Sequence, residues 1–292
     1  VIKVERVPGG DDTRRFGEGP QGDSAAFAMM NRNKRGFAVN TKSDEGRAAL
    51  RRIISQADVF IENYRKGAME HFGIGWEEMH ELNPRLIYCN MAAYGADGPL
   101  KDAPGYDPLI QAFAGISEAT GDPDGGAVRV GVPIIDIGTG MWALIGILSA
   151  LHQRDVTGKG CLVDAAMLET ALAWQGLSFA NAEGGAGWPV RMGLQGPLLV
   201  PNGGYDAADG KLVLNIGTPL QFSRFCKVID RLDLLEDPRF ATNDNRVANK
   251  PDFDATVSET LRTRPRAEWN ELLTAADVPN SPLQNLGETV AH

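Results

Sequence analysis

Hydrophobic and polar positions in the first third of the chain follow two periods, one typical of strands and one typical of helices. Short apolar runs predict β-strands at residues 1–5, 36–40, 59–61 and 86–91. Residues with helical periodicity lie between these runs, at 44–56 and 76–82. Because strands alternate with helices, the pattern predicts a parallel sheet with crossover helices.

After Pro104 the apolar segments become longer and predict helices at residues 107–120, 138–153 and 165–181. Glycines are frequent in residues 183–196, which we interpret as a linker. Beyond it, two strand-like runs at 203–206 and 211–216 flank a turn and predict a hairpin. Thr218 is a suitable N-cap for the first of three further helices, predicted at 219–229, 252–262 and 266–275.

These elements predict an α/β fold with two domains of different character. Residues 1–185 form a large Rossmann-like domain, a parallel sheet with long helices. Residues 186–200 form a linker, and residues 201–292 form a smaller α+β domain. The 292 residues, 43% of them hydrophobic, are sufficient for a core in each domain.

Charge argues against nucleic acid as a partner, because the chain has a formal net charge of −9 and phosphate backbones require a basic face. Residues 30–52 are a local exception, with seven basic and two acidic side chains. This segment is either a solvated loop and helix face or a seat for a small polyanion.

The cysteines Cys89, Cys161 and Cys226 lie far apart with no CxxC pair, which predicts neither a disulfide framework nor a zinc site. We therefore expect a reducing, cytoplasmic location. The longest charge-free apolar stretch, residues 137–151, has 15 residues, whereas a bilayer span needs about 20. We interpret this stretch as a buried helix and expect no membrane partner.

The segment richest in chemical information is 131–140, where Asp136 lies among apolar residues just before a long predicted helix. One hypothesis is that Asp136 caps this helix by accepting hydrogen bonds from its first amides. The alternative is that the positive helix end keeps the carboxylate ionised, so that it acts as a nucleophile on an activated acyl group. Gly138 and Gly140 would let a substrate approach the backbone, although glycine is also merely permissive there.

Two other polar positions are candidates for binding or catalysis. Tyr106, at the entry of a predicted helix, either donates a hydrogen bond to a developing oxyanion or simply packs its ring. Asn63, Tyr64 and Arg65 follow the carboxyl end of a predicted strand, where open α/β sheets bind ligands. Their side chains suit a nucleotide, and they also suit a plain turn.

Several familiar constellations are missing from the sequence. It contains no Walker loop, no dinucleotide fingerprint after a strand, no HExxH and no GxSxG. The four histidines share no metal-ligand spacing, so we expect no metal. Glu169 is a second candidate carboxylate, but its helical spacing favours a solvated face.

A series of short motifs nevertheless resembles class III CoA-transferases, the formyl-CoA transferase or CaiB/BaiF type, along almost the whole chain. The motifs are Val-Ile-Lys-Val-Glu (1–5), Asn-Lys-Arg (33–35), Glu-Asn-Tyr-Arg (62–65), Asn-Pro-Arg-Leu-Ile-Tyr (83–88), Gly-Tyr-Asp (105–107), Val-Pro-Ile-Ile-Asp (132–136), Thr-Gly-Lys-Gly (157–160), Asp-Pro-Arg-Phe (237–240) and residues 243–249.

The resemblance implies that Asp136 is the covalent nucleophile of a ping-pong transfer of CoA, through an aspartyl anhydride and an aspartyl-CoA thioester. For this mechanism we expect the backbone amides near Gly138, with Tyr106, to be the oxyanion donors. Racemases of the same superfamily resemble this chain, but they have histidine followed by aspartate where it has Tyr106 and Asp107. Without that second base, α-proton exchange is disfavoured relative to CoA transfer.

By the same resemblance, coenzyme A or acyl-CoA is a substrate, bound by the set Val39, Asn63, Tyr64, Arg65, His71, Lys34 and Arg35. His71 stands where formyl-CoA transferase has arginine, so that phosphate contact differs. The family forms interlocked dimers, which implies a homodimer. Relative to the family, we expect residues to be missing before Val1 and after His292.

Two rival functions remain open at this point. One is an acyl-CoA racemase or epimerase of the same superfamily, and the other is a catalytically silent CoA-binding protein. The expected partners are an acyl-CoA and a carboxylate. The sequence does not identify the donor acid or the acceptor acid, because one methylene in a pocket is worth only about 1–3 kcal/mol.

Overall fold

A computed structural model describes residues 1–17 and 24–292 of the chain. These residues form two compact units. Unit 1 joins Val1–Ser117 to Arg129–Trp188, and unit 2 joins Glu118–Val128 to Pro189–His292. The chain therefore leaves unit 1, returns to it and leaves it again, so neither unit is a single continuous segment.

The strands in the described residues are β1 (Ile2–Arg6), β2 (Arg35–Val39), β3 (Val59–Glu62), β4 (Ile87–Ala92), β5 (Leu162–Ala166), β6 (Asn202–Ala207), β7 (Gly210–Asn215) and β8 (Asn280–Pro282). The α-helices are α1 (Ala25–Asn31), α2 (Asp44–Ile54), α3 (Ala68–His71), α4 (Trp76–Leu82), α5 (Asp107–Phe113), α6 (Ile116–Ala119), α7 (Ile134–Thr157), α8 (Met167–Trp174), α9 (Gly176–Asn181), α10 (Pro219–Val228), α11 (Asp233–Glu236), α12 (Asn243–Ala248), α13 (Lys250–Leu261), α14 (Arg266–Ala275) and α15 (Leu286–Ala291). A 3₁₀ turn lies at Asp12–Arg15 and a π-helical turn at Ala182–Ala186.

The strands of unit 1 are parallel, which confirms the predicted α/β class. They form two sheets rather than one, β1-β2 and β3-β4-β5. In the larger sheet Glu62, Asn90 and Asp164 lie side by side at one register level. Parallel strands end at the same edge, so these three polar side chains lie near the edge where such sheets bind ligands.

The predicted helix at 165–181 is wrong at its start, because Leu162–Ala166 is a strand that pairs with β4. Gly160 makes this pairing possible: a Cβ there would lie 1.9 Å from the Leu86 carbonyl oxygen. The predicted helix at 107–120 is interrupted at Gly115, whose φ of +82° is left-handed and ends α5. Local turn geometry thus overrides the apolar periodicity at both places.

Helix α7 is longer than the predicted 138–153 and is not a fully buried helix. One face, including Ala143, Ile147 and Ala150, packs on β4. The opposite face exposes a row of large apolar side chains, namely Ile137, Met141, Leu144, Ile145 and Leu148. In the described chain α7 alone is long and apolar enough to cross a membrane, a criterion that core helices of soluble proteins also meet.

Unit 2 contains the predicted hairpin as β6 and β7, with β8 added antiparallel to β7. Thr218 caps α10 as predicted and forms a capping box with Gln221. The hydrophobic core of unit 2 contains Phe225, Phe240 and Trp269. Buried Arg246 crosses this core, donating from Nε to the Val200 carbonyl at 2.6 Å and from Nη1 to the Phe240 carbonyl at 2.9 Å.

Candidate active site

Asp136 lies in the first turn of α7 with its side chain exposed. Ile135 on one side of it is fully buried, in a small core cluster with Ile110 and Ala171. This cluster anchors the start of α7 on α5 and α8. The carboxylate of Asp136 is therefore attached to a well-packed helix end but remains accessible from solvent.

The helix end is capped by Asp107, a residue of α5. Its Oδ2 accepts the backbone N–H groups of Ile135 at 2.8 Å and of Asp136 at 3.1 Å. Gln111 donates from Nε2 to the other oxygen of Asp107 at 2.5 Å, and its Oε1 accepts the Val130 amide at 2.8 Å. Both Asp107 and Gln111 are buried.

The capping hypothesis for Asp136 is therefore wrong: no side chain of α7 caps its own start, and Asp107 provides the cap. The expectation that the helix end favours ionisation is also corrected. Partial burial of the carboxylate, and then the negative charge of Asp107, raise the pKa of Asp136 above its usual value. A raised pKa makes the carboxylate more basic, a property that suits a nucleophile once the group is ionised.

Gly138 does not have the exposed amide that the sequence suggested. As the fifth residue of α7, it donates within the helix, so its amide is not available as an oxyanion donor. It is buried, and a Cβ there would lie 2.9 Å from Thr170 Cγ2 and from Trp174 Nε1. Its absent side chain therefore lets α8 approach α7, whereas Gly140 has open space around it.

Tyr106 precedes α5 as its N-cap residue, next to Asp107. Its side chain is 72% exposed, so the hypothesis of a packed ring is wrong. Because Asp107 bonds to the amide of Asp136, the two helix starts that carry Tyr106 and Asp136 are directly joined. The hydroxyl of Tyr106 remains a candidate donor to an oxyanion near Asp136.

Three of the predicted CoA-binding residues, Asn63, Tyr64 and Arg65, form an exposed loop directly after β3. Glu62 fixes this loop, since its Oε2 accepts the Tyr64 amide at 2.7 Å. His71 ends the short helix that follows, α3, and its ring contacts Phe72. The three loop residues lie directly after the carboxyl end of β3, consistent with the predicted ligand edge.

The remaining candidates divide between the two ends of β2. Val39 is buried at its carboxyl end, whereas Arg35 begins the strand about 13 Å away at 3.3 Å per residue, and Lys34 precedes it. The structure therefore separates the two cations from Val39. Arg6, which the sequence reasoning missed, ends β1 in register with Val39, and a cavity of about 550 Å³ opens beside it.

Glu62 occupies an acidic environment at the end of β3. Burial raises its pKa to about 7, with further contributions from the nearby charges of Glu70 and Asp164 and an opposing hydrogen bond from the Tyr64 amide. Asn90, between Glu62 and Asp164, donates to Asp164 Oδ1 at 3.0 Å. Glu62 thus titrates near neutrality, directly before the candidate CoA loop.

A second cavity, of about 270 Å³, opens at the carboxyl ends of β4 and β5. Asn90, Asp164 and Tyr94 line it, and Tyr94 also packs on the core cluster under Asp136. Glu169 lines it with an exposed side chain, as predicted for a solvated face. Among residues 1–17 and 24–292, no group of His, Cys, Asp or Glu could hold a metal ion.

The residues that sequence reasoning missed had weak local signals. Asp107 follows the tyrosine of the Gly-Tyr-Asp motif and starts a helix, which by itself indicates only a first-turn acid. Glu62 is the last residue of β3, and Arg6 is the last residue of β1. Only their tertiary neighbours distinguish them from ordinary surface charges.

Comparison with known proteins agrees with this architecture. The family description "CoA-transferase family III" matches residues 1–292. The acetyl-CoA:oxalate CoA-transferase of Acetobacter aceti is 37% identical over 291 residues, covering 99% of this chain and 74% of that protein. The human succinyl-CoA:glutarate CoA-transferase is 34% identical over 292 residues, covering 100% and 67% respectively.

Solved structures with the same fold include a CaiB/BaiF family protein from Brucella suis, with a TM-score of 0.88 and 34% identity. It matches 100% of this chain and 78% of its own length. A Mycobacterium tuberculosis protein has a TM-score of 0.89 and 28% identity over the same shares. With a family description that covers every residue and relatives above 30% identity across nearly the whole chain, the protein belongs to CoA-transferase family III and is a class III CoA-transferase, an enzyme that uses CoA thioesters as substrates.

Proposed function

We propose that the enzyme moves CoA from an acyl-CoA to a free carboxylic acid through covalent intermediates on Asp136. The observation that carries the proposal is the geometry of the α7 start. Asp107 takes the helix amides, so the exposed carboxylate of Asp136 makes no internal cap and can meet a substrate. Its raised pKa increases its basicity as a nucleophile.

The proposed first half-reaction uses two attacks. A carboxylate oxygen of Asp136 attacks the thioester carbonyl, the C–S bond breaks, and an aspartyl acyl anhydride forms with CoA thiolate as the leaving group. The thiolate then attacks the aspartyl carbonyl. The anhydride C–O bond breaks, the first carboxylic acid leaves as its carboxylate, and Asp136 carries CoA as a thioester.

The second half-reaction reverses these steps with a different acid. The acceptor carboxylate attacks the aspartyl thioester, giving a new anhydride and CoA thiolate. The thiolate attacks the acyl carbonyl, which forms the new acyl-CoA and restores the Asp136 carboxylate. One thioester replaces another, so the steps balance without ATP. The hydroxyl of Tyr106 is the proposed donor to the tetrahedral oxyanions.

CoA is proposed to bind at the carboxyl side of the parallel strands, with the exposed loop of Asn63, Tyr64 and Arg65 as its main contact. His71 and Val39 complete this proposed site. Lys34 and Arg35 are weaker candidates, because they lie at the opposite end of β2 from Val39. Arg6, which is ion-paired with Asp12, provides a cation at the end that Val39 occupies.

The acceptor acid is proposed to be a small dicarboxylate. Relatives that share 34–37% of the sequence are named for oxalate and for glutarate. A panel of acetyl-CoA, succinyl-CoA and formyl-CoA with oxalate, succinate, glutarate and monocarboxylate controls, analysed by mass spectrometry, tests this. Transfer to monocarboxylates alone would exclude the dicarboxylate class.

A homodimer is proposed because α7 leaves a row of large apolar side chains uncovered, Ile137, Met141, Leu144, Ile145 and Leu148. Their spacing of three or four residues makes one continuous helix face. A second copy of the chain is the proposed partner. Light scattering after gel filtration should give twice the chain mass, and Leu148→Glu should reduce it to the monomer mass. A monomeric unmodified protein would refute the assignment.

The proposed location is the cytoplasm, where a reducing environment keeps thiols free. The three cysteines are unpaired, and Cys89 and Cys226 are buried. Immunolocalisation or fractionation of the native protein tests this location. Recovery of the protein in the fraction of an oxidising compartment would overturn the proposed location.

The test of the catalytic proposal is Asp136→Ala. We expect no detectable CoA transfer, with acyl-CoA affinity changed less than about threefold. Hydroxylamine should trap a modified Asp136 in the unmodified protein after incubation with an acyl-CoA. Asp155→Ala, an exposed aspartate near the other end of α7, is the matched control and should retain full activity.

Three results would contradict the proposal in different ways. Retained turnover in Asp136→Ala would show that Asp136 is not the nucleophile. Deuterium uptake at the α-carbon from heavy water without an acceptor acid would favour the racemase. CoA binding with no trapped adduct and no transfer would favour a silent CoA-binding protein.

A further inference from the structure

We propose that Asp107 is a positioning residue for the reaction: by capping α7 from a neighbouring helix, it keeps the Asp136 side chain free to attack. This inference rests on the proposed function of Asp136. Asp107 bonds to the backbone amides of Asp136 and Ile135 and to no atom of the Asp136 side chain, and therefore acts on that side chain indirectly.

The backbone donors at the start of α7 are all occupied. Ile134 donates to the Val132 carbonyl at 2.7 Å, and Ile137 donates to the Pro133 carbonyl at 3.0 Å. Ile135 and Asp136 donate to Asp107. The N-cap residue Pro133 has no N–H, and Ile137 makes the first regular bond of the helix, so the three orphan amides of this helix start are satisfied without the Asp136 side chain.

Two carboxylates near one helix end compete for the same donors. An acidic side chain in the first turn of a helix readily turns towards the free amides and their positive end. Asp107 is only 5% exposed, so its oxygens must find donors inside the protein, whereas water hydrates the exposed Asp136. The amides therefore bind Asp107, and the Asp136 carboxylate has no hydrogen-bond or ion-pair partner among residues 1–17 and 24–292.

Gln111 also fixes the segment that precedes α7. It is fully buried, and it bridges the second oxygen of Asp107 to the amide of Val130. Residues 130–136 are consequently held at both ends by one buried pair of side chains. No salt bridge to Asp107 exists within the described residues. Partial burial is the larger cause of the raised pKa of Asp136, and the negative charge of Asp107 adds to it.

The experiment compares Asp107→Asn and Asp107→Glu with the unmodified enzyme. Each is measured for kcat, KM, the pH profile of kcat/KM and the melting temperature. Thr218→Ala is the matched control, because it removes a helix cap of unit 2 far from α7 in sequence. It should lower the melting temperature and leave kcat unchanged.

For Asp107→Asn we expect a fall in kcat of tenfold or more, with KM changed less than threefold. If the asparagine oxygen takes the two α7 amides, its NH2 group faces the Gln111 Nε2–H, so the bridge to Val130 breaks and the nucleophile is displaced. The acid limb of kcat/KM should move to lower pH, since the loss of a neighbouring negative charge lowers the pKa of Asp136. Asp107→Glu should recover part of kcat and restore the acid limb. A role limited to stability would change the melting temperature alone.

Gln111→Met keeps the Asp107 carboxylate. It tests the same positioning of Asp136 if Asp107→Asn does not fold. We expect a three- to tenfold lower kcat with an unmoved acid limb. Unchanged kcat in both Asp107→Asn and Gln111→Met would overturn the inference. Full activity in Asp136→Ala, or no CoA transfer by the unmodified enzyme, would instead refute the proposed function.

Discussion

Glu62→Gln is expected to stabilise the protein at alkaline pH and to have no effect at acidic pH. The pKa of Glu62 rises from 4.5 to about 7 because of burial and the charges of Glu70 and Asp164. The neutral form is therefore preferred in the folded state. Glutamine has the shape of that neutral form and can still accept the Tyr64 amide through its oxygen.

The sign follows from proton binding in the two states. Below pH 4.5 the folded and unfolded chains both hold the proton, and ionisation costs nothing. Between pH 4.5 and 7 only the folded chain keeps it, so the free energy of unfolding falls as pH rises. Above pH 7 the full penalty is present, and Glu62→Gln removes it.

The whole pKa rise would correspond to about 3.4 kcal/mol, since a tenfold change in an ionisation constant is worth about 1.36 kcal/mol. Glu62 is only partly buried, and solvent screens the charge, so we expect about 1–2 kcal/mol at pH 8. The stabilisation should vanish near pH 4.5.

Urea denaturation at pH 5, 6.5 and 8, followed by tryptophan fluorescence, measures this difference in the free energy of unfolding. Glu271→Gln, at an exposed carboxylate of unit 2, is the control and should show no pH-dependent gain. An equal effect of Glu62→Gln at all three pH values would refute the argument, because charge would then not be the cause. A loss at pH 8 would show that the Tyr64 hydrogen bond dominates.

Three further substitutions test other parts of the structure. Tyr106→Phe should lower kcat about ten- to a hundredfold with little change in KM in steady-state assays, if its hydroxyl binds the oxyanion. Gly138→Ala forces a methyl group against Trp174 and should cost about 1–3 kcal/mol in urea denaturation, with reduced turnover. Arg246→Met leaves the buried Val200 carbonyl without its donor and should cost about 2–4 kcal/mol, while a change below 0.5 kcal/mol would contradict that role.

Sequence periodicity predicted many of the elements because their residues satisfy local rules. Helices α4 and α14 have the predicted bounds, since each is an amphipathic segment that ends where the pattern ends. The hairpin of β6 and β7 follows from its turn. Strand β5 was missed because an apolar run of that length fits a strand or a helix, and only the neighbouring strand β4 selects between them.

The same division applies to the candidate site. Sequence motifs identified Asp136, Tyr106 and the loop at Asn63 through a resemblance, before any neighbour was known. They did not identify Asp107 as the cap of α7, because the bond joins residues about thirty positions apart. They also suggested a free amide near Gly138, whereas the amide of Gly138 donates within α7 and its Cα side packs against α8.

The sequence by itself determined the alternation of strands and helices, the family and the identity of the acid at the start of α7, because these depend on composition, local spacing and short motifs. The tertiary structure decided which carboxylate binds the helix amides and which remains free. It also set the raised pKa values of Asp136 and Glu62. Hydrogen-bond competition, burial and like-charge proximity arise only when distant segments meet, and no local pattern encodes them.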